Sequence, residues 1–143
     1  MKNNFIILSD IKKDDMFDVL EIRNDDSTRK NLENDTQFTL EQGYDWFDTT
    51  LPQWKMISVQ NKTSYYNNIG YVRIDGNTIG IDVHPNFRRQ GIAKKAYNLM
   101  LPQKKEWQLW VFEDNTAKQL YEELGFYYTG DQGMKRDKLY LHM

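Results

Sequence analysis

The 143-residue sequence contains no cysteine. That removes disulfides, thiolate catalysis and cysteine-based metal sites together, and it fits a reducing compartment. Histidine is scarce, with only His84 and His142, so a dedicated metal site is not expected. No apolar run approaches the roughly 20 residues of a membrane span, and the N-terminal Phe5-Ile6-Ile7-Leu8 run lacks the length of a signal peptide. A cytoplasmic protein with no membrane partner is expected. Excess positive charge is also missing: the formal net charge is −2, so no global basic field advertises nucleic acid as a partner. Repeats, linkers and low-complexity stretches are absent, and the length suits one compact domain over residues 1–143.

What is present is an alternation of strand-like and helix-like segments. Phe5–Leu8 reads as a strand and Asp14–Arg23 as a helix with Met16, Val19, Leu20 and Ile22 largely on one face. Residues 24–38 are polar and irregular, with short helical character around Ser27–Leu32. Thr39-x-x-Gln42 has the form of a capping box and opens a helix through Tyr44, Trp46 and Phe47. Trp54–Gln60, Ser64–Ile74 and Thr78–Val83 read as a three-stranded antiparallel meander, turning at Asn61-Lys62-Thr63 and Asp75-Gly76-Asn77. A helix over 91–100, a strand over Trp107–Phe112, a helix over Thr116–Leu124 and a last strand pair near Phe126–Tyr128 and Lys138–Leu141 complete a mixed α/β chain. The crossover through helix 91–100 predicts that the next strand runs parallel to Thr78–Val83.

The segment Val83-His84-Pro85-Asn86-Phe87-Arg88-Arg89-Gln90-Gly91-Ile92-Ala93 turns sharply from strand to helix. The first amides of a helix have no internal partners, and with the positive end of the helix dipole they suit a phosphate anion. Gly91 lets the backbone approach a ligand closely, Ala93 leaves the first turn unobstructed, and Arg88 and Arg89 add positive charge. A Pro-initiated turn leading into a basic helix is the alternative explanation. A second unit follows: strand Val111-Phe112, turn Glu113-Asp114-Asn115, and a helix carrying Ala117, Leu120 and Tyr121 that ends at Gly125-Phe126.

Arg88-x-x-Gly91-x-Ala93 and the Val111-to-Phe126 unit together resemble the two signature motifs of the GNAT superfamily of acyl-coenzyme A dependent N-acetyltransferases, in its order and approximate spacing. They cover about the last two fifths of the chain. The resemblance implies a mostly antiparallel central sheet with a parallel, splayed strand pair and about four flanking helices. It implies acetyl-CoA as cosubstrate, no metal, and a pyrophosphate held by the amides of Arg88, Arg89, Gln90, Gly91, Ile92 and Ala93. The strand ending at Val83 would offer main-chain groups to the pantetheine arm, Asn115 a side-chain contact, and Tyr121 a proton for the departing thiolate. Asn115 and Ala117 stand one residue closer than in the family, so Asp114 competes with Asn115 for that position. Tyr121 as an ordinary helix aromatic packed on the sheet remains open.

The implied reaction is direct attack of a neutral primary amine on the thioester carbonyl, which agrees with the lack of cysteine. An ammonium must first lose its proton. Asp75, Asp82, His84 and Glu113 are candidate bases, and Asp82 is the most suggestive because an acid in an apolar strand must be solvated by a cleft or paired. Its pairing with a neighbouring cation is the alternative; His84 and His142 read as loop or structural residues. Glu21-Ile22-Arg23-Asn24-Asp25, Arg29, Phe38–Gln42 and Trp46-Phe47 resemble the opening of acetyltransferases acting on nucleotide-linked amino sugars, and of those acting on ribosomal-protein N-termini. Arg23, Asn24, Arg29 and Trp46 are accordingly candidates for the acceptor site, with the arginines on a diphosphate and tryptophan or tyrosine rings stacked on a base or sugar. Surface cations and core aromatics are the alternative. Aromatics make up 14% of the chain, enough for a core and a lined cleft. A nucleotide-linked amino sugar is the expected acceptor, with a peptide or protein α-amine or a polyamine as rivals, and a non-catalytic acyl-CoA binding module as the rival from another class. The resemblance also implies that a homodimer through the C-terminal strands is open to the chain.

Overall fold

A computed structural model describes residues 5–50 and 53–143. Strands β1 (Phe5–Asp10), β2 (Lys55–Gln60), β3 (Tyr65–Asp75) and β4 (Thr78–Val83) form an antiparallel sheet in that order. Helices α1 (Met16–Arg23), α2 (Asp26–Arg29) and α3 (Leu40–Thr50) lie between β1 and β2, and α4 (Ile92–Met100) follows β4. A second antiparallel sheet takes β5 (Trp110–Phe112), β7 (Lys138–His142) and β6 (Gln132–Lys135), with α5 (Lys118–Glu123) between β5 and β6.

The period-2 pattern of the strands divides the core into two layers. Ile57, Val59, Val72, Ile74, Ile79 and Val83 face α4, which contributes Ile92, Ala96, Tyr97 and Met100. On the other face Met56, Tyr71 and Trp54 pack against Met16, Val19, Leu20 and Ile22, with Trp46 and Phe47 of α3 beside them. The capping box forms in both directions: Thr39 N–H donates to Gln42 Oε1 at 2.8 Å and Gln42 N–H to Thr39 Oγ1 at 3.2 Å. Asn68, at φ 53°, breaks the β2–β3 register; its amide donates to Asp15 and Asp18, each at 2.9 Å, fastening the irregularity to the start of α1.

The elements expected from the sequence are found, with one correction near the C-terminus. Phe126–Tyr128 is not a strand. Gly125, at φ 100°, ends α5, Phe126 N–H bonds back to Tyr121 O at 3.0 Å, and the Phe126 ring packs on Tyr97 and Tyr121. The strand of that hairpin is β6, joined to β7 by Arg136 and Asp137, both with positive φ (53° and 59°). Such a two-residue turn normally announces itself with Asn-Gly or Asp-Gly; this one does not. Among the described residues no helix is long and apolar enough to cross a membrane.

Candidate active site

Main-chain direction alternates along β4. His84 N–H donates to Ile69 O at 2.7 Å, so in this register Gly80, Asp82 and His84 bond towards β3, while Ile79, Ile81 and Val83 turn the other way. There Ile79 N–H meets Gln108 O at 2.9 Å and Gln108 N–H meets Asn77 O at 2.8 Å, forming a parallel bridge between Thr78 and Gln108. Past that bridge β5 pairs with β7 instead of β4. The two strands therefore join at one end and part at the other, and the main-chain groups of Ile81 open onto the gap. The parallel neighbour expected from the crossover is present as this single bridge.

Beyond Val83 a turn of 3-10 helix over Pro85–Phe87 leads into the loop ahead of α4. Arg89 (φ 61°) and Gly91 (φ 77°) both take the left-handed conformation, which turns successive amides to one side before the helix starts. Nothing lies within 4 Å of a Cβ built on Gly91, so glycine is required there by the backbone angle and not by crowding. Phe87, Arg89, Gly91, Ala93, Val83 and Leu120 are among the walls of a cavity of about 370 Å³ over this turn. The Gln90 Oε1 atom is buried without a hydrogen-bond partner among the described residues. Arg88 differs from the sequence expectation of a charge offered to the anion: its Nε donates to Val83 O at 3.0 Å and its terminal nitrogens to Ser27 and Thr28, tying the end of β4 to α2.

Tyr121 projects from α5 to the gap, edge-on to the fully buried Tyr97 with ring centroids 5.8 Å apart. Burial raises the pKa of both phenols, and that of Tyr71 on the opposite face. These phenols stay protonated in the fold where free tyrosine ionises. Their contribution is complete below the ordinary value of about 10 and is lost as pH rises beyond it. Equilibrium denaturation from pH 8 to 11 should show stability constant at first and falling past pH 10. Asn115 Oδ1 accepts the Ala117 N–H at 2.9 Å in a local turn just ahead of α5, whereas Asp114 is drawn outward to Lys138 at 3.2 Å.

On the other side of the gap lies a cavity of about 400 Å³, walled by Trp46, Trp54, Phe38, Trp110, Tyr140 and Tyr121 among others. Burial, with Glu33 next in effect, pushes the Tyr140 phenol up to about 12. Of the four candidate acceptor residues, Arg23 and Trp46 reach this cavity and Asn24 and Arg29 do not. Arg23 is only 5% exposed and donates to Asn34 O (2.6 Å) and Thr36 O (3.3 Å). Asn24 exchanges two hydrogen bonds with the main chain of Phe38 (2.8 and 2.9 Å). Arg29 binds Asn24 O, Asp35 O and the Asp26 carboxylate. All three hold residues 30–38 as a wall. The β6–β7 turn grips that wall from outside, where Arg136 donates to Arg29 O (3.0 Å) and Leu32 O (2.9 Å) and pairs with Asp35 at 3.2 Å.

Asp82 is paired: its Oδ2 lies 2.9 Å from Arg73 Nε, the alternative that the sequence left open. His84 Nδ1 accepts the Asn86 N–H and its Nε2 faces Glu21 at 3.3 Å, which makes it a cap of the 3-10 turn. His142 sits between Thr129 and Gln108, at the joined end of the strands. Arg73 and Gly80, both on the cavity wall, were not singled out by the motifs. The alternation of Tyr71, Arg73 and Asp75 with Val72 and Ile74 is the signal that sets Arg73 on the same face as Asp82.

Residues 54–128 match the family model for an acetyltransferase (GNAT) domain, more than half of the chain. No curated protein matches the sequence. Among solved structures, a domain from Methanocaldococcus jannaschii is similar at 17% identity and a TM-score of 0.82, with 99% of each chain covered. The yncA protein of Salmonella typhimurium, solved with its cofactor acetyl-CoA, is similar at 19% identity and 0.67, covering 96% of this chain and 92% of that one. A ribosomal-protein-alanine N-acetyltransferase from Brucella melitensis is similar at 18% and 0.71, covering 96% and 97%. At these identities the likeness is one of fold. A family match of that extent, spanning the strands that part beyond Gln108, makes this chain a member of the GNAT acetyltransferases, enzymes that draw the acetyl group from acetyl-CoA.

Proposed function

We propose that the chain acts as a single acetyltransferase domain, passing the acetyl group of acetyl-CoA directly to a primary amine that enters the cavity beside Trp46 and Tyr121. The observation that carries this reading is the parting of β4 and β5, with the left-handed turn at Arg89 and Gly91 on one side and the 400 Å³ cavity on the other. Amides of the turn over 88–93 suit the donor's diphosphate. Val83, with its carbonyl held by Arg88, positions the start of the turn, and the Asn115 turn leads the chain into α5. The amine nitrogen forms the new C–N bond as the C–S bond breaks; the Tyr121 phenol supplies the proton taken by the sulfur, and the proton released from the nitrogen restores the phenol through water. Asp82 is the carboxylate proposed to relay the ammonium proton to water.

For the acceptor, a small amine is favoured by the cavity's size. A nucleotide-linked amino sugar has the aromatic wall in its favour. The two arginines expected to hold its diphosphate are not free to do so, because the donors of Arg23 and Arg29 are engaged by the chain itself. Acceptor screening with amino acids, amino sugars, their nucleotide forms, polyamines and short peptides, read by release of free thiol, tests both readings. Turnover confined to peptides ends the sugar reading, and no turnover with acetyl-CoA bound ends the enzymatic one. Gly91→Ala provides a test of the turn: forcing a Cβ into the left-handed region costs roughly 1–2 kcal/mol, so acetyl-CoA should bind about tenfold more weakly by calorimetry. Unchanged affinity would remove this turn from the donor site.

A further inference from the structure

The wall of the acceptor cavity carries a guanidinium with no assigned task. Arg73 of β3 stands directly across from Gly80 of β4, and a Cβ at Gly80 would lie 2.5 Å from the Arg73 Cζ. The absence of a side chain at position 80 is thus what lets the guanidinium lie flat over the strand that borders the gap. Asp82 Oδ2 forms an ion pair with Nε at 2.9 Å without hydrogen-bond alignment, leaving both atoms buried with no hydrogen-bond partner among the described residues. The two terminal nitrogens make no hydrogen bond to the described residues, and Arg73, Gly80 and Tyr121 line the same cavity.

Charge around this group does not cancel. Arg23 and Arg73 line the same cavity, so two guanidinium groups stand there beside the one carboxylate of Asp82. The other acids on the cavity wall do not supply the difference: Glu33 is matched by Lys135 at 3.0 Å, and Asp75 is exposed at the β3–β4 turn. Because the donors of Arg23 are engaged by Asn34 and Thr36, the unmatched positive charge is presented by the free edge of Arg73. A planar pair of N–H donors fits a carboxylate in bidentate fashion. One uncompensated charge, with Asp82 adjacent, suits a monoanion better than a phosphate dianion.

We propose that Arg73 selects the acceptor, binding the carboxylate of an amine that carries one, so that the preferred substrates are amino acids and their small analogues. This rests on the acetyltransferase reading above and narrows it. The experiment compares each amino acid with its amide and its decarboxylated amine, following thiol release from acetyl-CoA. In the wild type, kcat/KM for the amino acid should exceed that of either counterpart by about 10- to 100-fold, mostly through KM. Arg73→Lys keeps a charge but loses the fork and should shrink that ratio; Arg73→Met together with Asp82→Asn removes the pair without stranding a charge and should abolish it. Rates on the neutral amines should follow those of the single Asp82→Asn control, a difference that a merely structural role would not produce. Turnover of amines with no preference for the carboxylate overturns this proposal alone, as does an equal loss on charged and neutral acceptors in Arg73→Lys. Silence from every acceptor while acetyl-CoA still binds overturns the underlying enzymatic reading as well.

Discussion

Replacing Tyr121 with phenylalanine should lower kcat by about 100- to 1,000-fold while leaving acetyl-CoA affinity within about twofold. The ring remains, so the edge-on packing with Tyr97 and Phe126 that positions α5 is preserved; what disappears is one hydroxyl at the gap. A structural aromatic would show the reverse pattern, with stability touched and turnover intact. The pH profile adds a second readout. Burial raises the Tyr121 pKa, and the proposed step needs the protonated phenol, so any alkaline decline set by this residue belongs above pH 10 in the wild type and is missing in the variant. A Tyr121→Phe enzyme with wild-type kcat would show that the thiolate finds its proton elsewhere.

The largest effect on the fold is expected at Arg23. Arg23→Met exchanges a guanidinium, 5% exposed, for an apolar side chain of similar length. It strips Asn34 O and Thr36 O of their charged donors and removes the cation seated 5.1 Å from the centre of the Phe38 ring. Desolvation of the guanidinium, which lowers its pKa, is relieved by the exchange and offsets part of the loss. A net cost of about 3 kcal/mol, or roughly 10 °C in Tm, follows for a domain of this size. The damage should be lopsided: acceptor KM rises because the wall over residues 30–38 loosens, whereas acetyl-CoA binding on the far side of the gap is spared. A Tm within about 2 °C of wild type would mean that these bonds contribute little.

Sequence pattern identified the elements because local chemistry was unambiguous where it mattered. The Thr39/Gln42 box, the glycine at 91 and the Asp75-Gly76-Asn77 turn each allow few conformations. The β6–β7 turn was hidden because Arg136 holds a left-handed angle that arginine rarely adopts, and no glycine or asparagine marks the turn beside Asp137. Strand propensity in Phe126-Tyr127-Tyr128 was misleading, since Phe126 is consumed in closing α5. In the site, the motifs bear on the proposed donor side, which is local to one loop and one helix. The acceptor side is assembled from residues distant in the chain, and single residue types gave no hint that Arg23, Asn24 and Arg29 would spend their donors on main-chain carbonyls and an adjacent carboxylate. Arg73 was visible only through its register with Gly80 and Asp82, a relation that requires the sheet.

The clasp of Arg136 on Leu32 and Arg29 joins segments 104 and 107 residues apart. Among the described residues, 30–38 and 132–138 make no hydrogen bond to the bend before α4, which is instead tied to α2 through Arg88. The molecule can therefore be retailored for a new amine by exchanging 30–38 and 132–138 as a matched set, with the thioester machinery left alone. Transplanting either half by itself leaves bare carbonyls facing an empty socket, and chimeras of that kind should be recovered only when both pieces travel together.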